Sequence, residues 1–547
     1  MIPTARFAVS AFASIAISIA SAVSAQPASI GMLEITGALP ERSGALAGLG
    51  GGDPTLHDYI DTIDRLGEEG ELDGVILRLK DVMMGTTKVE ELGAAITRAK
   101  EAGLNVHLFS EMYGMAEFLL GAYATEVIVQ VGGPVSLPGI YLEEYYLADT
   151  FDKFGFDASF VQVGDYKGAD EMFTRAEPSE AWDENISGLL DGLYGEFRTT
   201  LMEGRELTPS QLDAAMAELW LADAEEAVEF GLADAAIGLD EIMGHLEERY
   251  GEVDYAGEID AGGRDMQFNA QNPFAMLAAL TQPPRRDATE PTIAVLHLSG
   301  PIVDGDSSPA GLLGGASTGS RTLRRAMQNI ADDEEIRGVV VRIDSPGGSA
   351  TASEVIWRGM RDLGKDIPVW TSVGSMAASG GYYTAVGGQR IYVNPSSIVG
   401  SIGVVGGKVA IGGFLGKGDI NVVSRSRGPQ ADLLSAQEPW NETEKALVRD
   451  KLVRVYEQFT DRVETGRPGI DIDRVGAGRL FIGREAVELE MADELGGLQT
   501  AIADMASELD LVDYEVMSFP APKSLEEVLE DAFGGFMQTP DISAGLA

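Results

Sequence analysis

Two glycine-flanked segments of this 547-residue chain hold residue types that suit acyl-transfer chemistry. Asp344-Ser345-Pro346-Gly347-Gly348-Ser349 follows a short apolar run and precedes a helical pattern. Paired glycines let a backbone turn sharply and leave its N–H groups unshielded. Such donors suit the negative charge of a tetrahedral intermediate, although a tight turn without chemistry has the same composition. Met376-Ala-Ala-Ser379-Gly380-Gly381-Tyr382-Tyr383 follows the strand-like Val369-Trp-Thr-Ser-Val373 and sets Ser379 at an expected helix start. A helix N-terminus favours developing negative charge, and serine is equally a common N-cap. The surroundings of Ser379 are not the Gly-x-Ser-x-Gly elbow of other hydrolases.

A serine nucleophile needs a base. The chain has four histidines, His57, His107, His245 and His297, none of them in a glycine-rich motif. His297 sits in a buried-strand pattern, so packing or surface roles suit all four, and a Ser-His-Asp triad has little support. A lysine serves if burial brings its pKa from about 10.4 towards about 7–8. Lys167, in Val161-Gln-Val-Gly-Asp-Tyr-Lys167-Gly168, stands at the end of an apolar strand. A lone lysine is ordinarily a solvated one.

An internal repeat bears on that choice. Gly74-Val-Ile-Leu-Arg78-Leu matches Gly338-Val-Val-Val-Arg342-Ile, and Gly114-Met-Ala-Glu-Phe118 matches Ser375-Met-Ala-Ala-Ser379. Tyr166-Lys167-Gly168 falls opposite Ser426-Arg427-Gly428, and Ala227-Val228-Glu229 opposite Ala486-Val487-Glu488. The offsets drift slowly through 264, 261, 260 and 259. Two homologous halves follow, 29–255 and 290–515, joined by a linker at 256–289 and followed by a tail at 516–547. In the first half Met83-Met84 occupy the Gly347-Gly348 positions and Phe118 that of Ser379; in the second, Arg427 stands opposite Lys167. Arginine stays protonated and cannot act as a base. Each half has lost what the other keeps, which points to one composite site.

The elements that must hold these residues alternate. Thr292–His297 and Gly338–Ile343 are short, β-branched and apolar, as strands buried on both faces are. Helical stretches such as Ser353–Leu363 and Glu442–Glu464 intervene. The expectation is an α/β fold: two tandem domains of right-handed βαβ units on mainly parallel sheets. The stretch Gly406–Lys417 lacks the Walker spacing and a Ser/Thr after Lys417, and reads as turns.

Composition narrows the partners. Lys and Arg number 40 against 87 Asp and Glu, a formal net charge of −47, which repels nucleic acid. There are no cysteines, hence no disulfide and no thiolate chemistry. Arg6 precedes an uncharged stretch, Phe7–Ala25, that ends in small residues. Residues 1–25 therefore read as an export signal or a retained N-terminal membrane anchor, and either one places the rest of the chain outside the cytoplasm.

The two glycine motifs, Gly400-Ser401-Ile-Gly-Val404, the duplication and the export segment together resemble the long form of the signal peptide peptidase A (protease IV) family, Ser–Lys peptidases of the bacterial cell envelope. The resemblance covers nearly the whole chain. It implies Clp-protease/crotonase-like domains assembled as a tetramer at the periplasmic face of the inner membrane. It implies Ser379 as nucleophile and Lys167 as base. Gly347 or Gly348 would supply one oxyanion amide and Gly380 the second, with Ser401 supporting the lysine amine. Substrates would be cleaved signal peptides or other small apolar peptides, and no cofactor or metal is implied. A crotonase-type acyl-CoA enzyme shares the Gly-Gly junction, but it would need acidic catalytic residues and a cytosolic cofactor. A non-catalytic envelope scaffold would be expected to lose Ser379 or Lys167.

Overall fold

The computed structural model describes residues 27–42, 54–262, 287–308 and 315–521. The export segment, most of the expected linker and the tail beyond 521 lie outside the described residues.

The first half is built on six parallel strands: β1 (Ala28–Thr36), β2 (Gly74–Lys80), β3 (Asn105–Ser110), β4 (Glu126–Val129), β6 (Ala235–Ala236) and β7 (Val253–Ile259), with β5 (Asp157–Val163) leaving the sheet. Their order is β6-β4-β3-β2-β1-β7. The second half carries β8 (Thr292–Ser299), β9 (Ile336–Ser345), β10 (Val369–Ala378), β11 (Ile391–Val393), β12 (Ile398–Gly400), β13 (Val404–Ala410), β14 (Leu480–Ile482), β15 (Glu494–Leu495) and β16 (Glu515–Phe519). Its path β15-β11-β10-β9-β8-β16 repeats that of the first half strand for strand, with β12 and the antiparallel β14 continuing beside β10. The duplication read from the sequence is therefore a duplication of topology. The last strands run to Ile259 and Phe519, four residues past each expected boundary.

Why the central strands are apolar throughout is visible in β9. Val339, Val341 and Ile343 face a layer made by helices Ser320–Asp332 and Ala350–Leu363, whose Leu323, Ile330, Ile356 and Met360 are buried with them. Val340 faces the other way, onto Trp370, Tyr392 and helix Leu498–Glu508. A sheet covered on both sides leaves no strand position for water. Each such aliphatic side chain contributes about 1.5–3 kcal/mol on burial.

The halves interlock. Strand β5 of the first half pairs antiparallel with β13 of the second over seven residues, from Val163↔Val404 to Asp157↔Ala410. Arg342 of β9, 2% exposed, donates to Glu41 (2.6 and 3.0 Å), Glu91 (2.7 Å) and Ser372 (3.0 Å). Glu91 lies on α1 (Thr86–Glu101) of the first half and also accepts from Asn394 Nδ2 at 2.8 Å. Helix α2 (Glu180–Gly204) reaches the second half too: Asn185 Oδ1 accepts from the Leu480 N–H at 3.0 Å, and Glu196 pairs with Arg484.

One expectation is corrected here. Gly406–Lys417 is not a set of turns: it is most of β13 followed by a short helix, Gly412–Lys417. Glycines are poor strand formers on their own. The ladder to β5 supplies backbone hydrogen bonds that nothing near Gly406 in the sequence announces.

Candidate active site

Strand β10 ends at Ala378 and α3 (Gly380–Ala385) begins two residues later, with Ser379 as the residue between. Its backbone sits at φ 52°, ψ −119°, a region that side-chain-bearing residues rarely enter, and such strain collects at functional sites. Two hydrogen bonds hold it there. The Ser379 N–H donates to Gly400 O at 2.9 Å, and the Ser379 carbonyl accepts from the Tyr383 N–H at 2.9 Å. The residue is half-buried, so the hydroxyl is sheltered yet reachable.

The Gly347-Gly348 turn lies against it. Gly347 has φ +100°, and a Cβ added there would fall 2.8 Å from Ser379 Cβ and 2.6 Å from Gly380 N. Glycine is thus required for conformation and for space alike. The Gly347 carbonyl accepts from the Ile302 N–H (2.8 Å), and the Ser349 N–H donates to Ile302 O (2.9 Å). Neither of these bonds to Ile302 uses the Gly348 N–H. A Cβ on Gly380 would stand 3.1 Å from Gly348 N. Among the described residues, the N–H groups of Gly348 and Gly380 donate to no other protein group, whereas that of Gly347 donates to Ser345 Oγ at 3.1 Å.

Lys167 arrives from the other half. It follows β5, which the ladder to β13 carries into the second domain. The loop Gly476–Arg479 receives it: the Tyr166 N–H donates to Ala477 O at 2.9 Å, and a Cβ on Gly478 would stand 2.5 Å from Lys167 N. Lys167 is 5% exposed. Its ammonium donates to Ser401 Oγ at 2.7 Å and to Ser401 O at 3.0 Å. Among the described residues no carboxylate pairs with it, and burial brings its pKa down to about 8. No hydrogen bond joins Lys167 to Ser379; they are tied to consecutive residues, Ser379 to Gly400 and Lys167 to Ser401. Ser401 is itself held at φ 52° while its N–H donates to Arg479 O at 2.6 Å.

The histidines are engaged elsewhere. His107 and His245 each bond to Glu126 at 2.7 Å, and His57 lies 3.7 Å from Glu41. His297 is buried, bonded to Ser518 at 3.2 Å and pushed down to about 3 by burial. In the first half Phe118 is 1% exposed and packs on Tyr113 with ring centroids 5.1 Å apart, while Met83 is 71% exposed. Arg427 is exposed, and among the described residues its side chain donates only to its neighbour's carbonyl, Ser426 O, at 2.7 Å.

Sequence reasoning missed three contributors. Gly478 gives Lys167 its room, Ser345 holds the Gly347 amide, and Ser353 Oγ would lie 2.5 Å from any Cβ on Gly380. The only sequence signal was the cluster of small residues around each motif.

The family model described as "Peptidase family S49" matches residues 98–252 and 361–512, one segment in each half. "Serine protease SPPA, chloroplastic" of Arabidopsis thaliana is 28% identical over 455 residues, 79% of this chain and 62% of that protein. "Protease 4" of Salmonella typhi is 25% identical over 88% of this chain and 76% of its own length; its namesake in Haemophilus influenzae is 25% identical over 81% and 71%. The two matched segments together cover more than half of the chain, and the chain belongs to peptidase family S49, the serine-type endopeptidases that include protease 4.

Proposed function

We propose that this peptidase works through a Ser–Lys dyad, Ser379 as nucleophile and Lys167 as general base. The observation that carries the reading is the buried Lys167 amine. It crosses from one half into the other, has no carboxylate partner among the described residues, and rests on the turn that anchors Ser379. Neutral Lys167 takes the Ser379 hydroxyl proton as Oγ attacks the peptide carbonyl carbon. The carbonyl electron pair moves to oxygen, which accepts from the amides of Gly348 and Gly380. Of the two glycines in the turn, Gly348 is the donor, because the Gly347 N–H is already engaged. Collapse of the intermediate breaks the C–N bond, and the lysine proton passes to the leaving amine. Water, deprotonated by the same lysine, then attacks the acyl carbon; the bond to Ser379 Oγ breaks and the lysine proton returns to Oγ. Ser401 orients the amine throughout.

The substrates are cleaved signal peptides or other small apolar peptides, met on the periplasmic side of the inner membrane. The small residues around Ser379 and the export-type N-terminus support this. Among the described residues no helix is long and apolar enough to cross a membrane. The assembly is a homo-oligomer, a tetramer, supported by two exposed apolar segments at 140–145 and 420–423.

A fluorophosphonate probe tests the dyad. It should label the wild type once per chain and fail to label Ser379→Ala, and Lys167→Ala should lose at least a hundredfold in apolar-peptide hydrolysis. Labelling that survives in Ser379→Ala, or near-wild-type turnover in Lys167→Ala, overturns the assignment.

A further inference from the structure

Ser345 is a buried polar residue that the proton transfers leave unused. It ends β9 with no exposed surface. Its hydroxyl donates to Gly300 O at 2.7 Å and accepts the Gly347 N–H at 3.1 Å. The repeat supplies an internal comparison. Thr36 pairs with Lys80 in the first sheet as Ser299 pairs with Asp344 in the second. Gly37 therefore stands where Gly300 stands, Asp81 where Ser345 does, and Met83 where Gly347 does. In the first half, the Met83 N–H donates straight to Gly37 O at 2.9 Å. In the second half, the same amide and the same carbonyl are joined through the Ser345 hydroxyl. The half that keeps the nucleophile has a hydroxyl inserted into this contact; the half that lost the nucleophile does not.

We propose that Ser345 is a positioning residue, a hydroxyl spacer that holds the Gly347–Gly348 turn so that the Gly348 amide faces the developing oxyanion. It engages the Gly347 N–H, which would otherwise close onto Gly300 O as Met83 closes onto Gly37. Ile302 fixes the far side of the same turn through Gly347 O and Ser349 N. With one amide occupied and one face pinned, the Gly348 N–H has a single direction left. The role concerns the transition state alone, because a ground-state carbonyl carries little charge for that amide to stabilise.

This inference rests on the Ser–Lys reading, and the experiment separates the two. Wild-type protein is first tested for fluorophosphonate labelling and peptide hydrolysis; failure there removes the reading before any Ser345 variant is made. In Ser345→Ala, kcat should then fall by about ten- to a hundredfold, less than the loss of a whole oxyanion donor, with KM within about twofold. Affinity for a peptide aldehyde, whose carbonyl carbon bonds to Ser379 Oγ as its oxygen takes up the charge, should fall by the same factor as kcat. The pH midpoint of activity should stay where it is. Ser345→Thr, which keeps the hydroxyl, should recover most of the rate. Ser345→Cys, close in size but a weak acceptor, gives an intermediate loss and serves if the alanine variant does not fold. Unchanged kcat and aldehyde affinity in the alanine or cysteine variant overturns the proposal. So does a loss shared equally by KM, pH midpoint and melting temperature, which would mark Ser345 as structural only.

Discussion

A lysine amine accepts the serine proton only in molecules where it is neutral. With the pKa of Lys167 brought to about 8 by burial, roughly a tenth of the amines are neutral at pH 7. Hydrolysis should therefore rise about tenfold from pH 7 upward with a midpoint near 8; a profile flat from pH 6 to 10, with the protein folded throughout, would rule the lysine out as base. Stability carries the same signature with a definite sign. The folded pKa lies below the unfolded value, so the folded state binds fewer protons between about 8 and 10.5. The cost of burying the charge is full below pH 8, about 3 kcal/mol by the size of the shift, and is gone above 10.5. Lys167→Met, inactive, should melt higher than wild type at pH 7, and the gap should close toward pH 10. Equal gaps at both pH values in thermal melts would contradict the buried-charge account. The proposed pairing of Ser379 with Lys167 was suggested in the sequence by their complementary loss across the repeat, and the structure ties the two to consecutive residues, Gly400 and Ser401. Ser345 and Gly478 were not. A serine at a strand end is common, and the need for Gly478 arises from a backbone more than 300 residues earlier in the chain.

At the scale of elements, α1 is one of the helices through which the first half grips the second. Glu91 meets Arg342 and Asn394; one residue earlier, Glu90 accepts from the Ser396 N–H at 3.1 and 3.3 Å. Ser396 opens the turn that leads through β12 to Ser401. Burial, aided by the nearby carboxylates of Glu196 and Glu91, pushes Glu90 up to about 7. Glu196 is paired with Arg484, whose charge also attracts Glu90, and that attraction does not overcome the burial. A raised carboxyl pKa destabilises the folded state once the group ionises: there is no cost below about 4.5 and full cost above about 7. Glu90→Gln keeps an acceptor for the Ser396 N–H and removes the charge. It should raise the melting temperature by a few degrees at pH 8 and leave it unchanged at pH 4.5. An equal shift at both pH values would show that charge is not the cause. The sheets could be read from apolar runs because both faces are covered, as Val339, Val340 and Val341 illustrate. The β5–β13 ladder could not be read, since its glycines argue against a strand and its partner lies some 250 residues away.

The whole molecule uses its duplicated plan once within the chain and leaves a second use open. Inside the chain, β5 of the first half pairs with β13 of the second. The counterpart of β5 in the second half is the stretch leading to Arg427, where Ile420, Val422 and Val423 are 55%, 49% and 72% exposed. The counterpart of β13 in the first half is the stretch after Gly139, where Tyr141, Leu142 and Tyr145 are 81%, 50% and 67% exposed. Neither belongs to a strand ladder among the described residues. Apolar side chains beside unpaired backbone invite a further strand. The charges match as well: Arg425 and Arg427 on one stretch and Glu143 and Glu144 on the other are all exposed, a local attraction on a molecule whose net charge of −47 otherwise repels its copies. The proposed assembly would repeat the internal pairing between chains, joining the second half of one copy to the first half of the next in a head-to-tail contact, the kind that builds rings when its rotation closes. The proposed dyad draws Ser379 and Lys167 from one chain and would not depend on that contact. Wild-type protein should therefore sediment at a multiple of 58.0 kDa, four for the tetramer. Val423→Asp and Tyr141→Asp should each shift it toward the single-chain mass, and lowered affinity should be most evident at high salt, where the Arg–Glu attraction is screened. Ser379 should still take one fluorophosphonate per chain in the dissociated variants. A wild type already at 58.0 kDa, or variants that keep its larger mass, would remove these stretches as the interface.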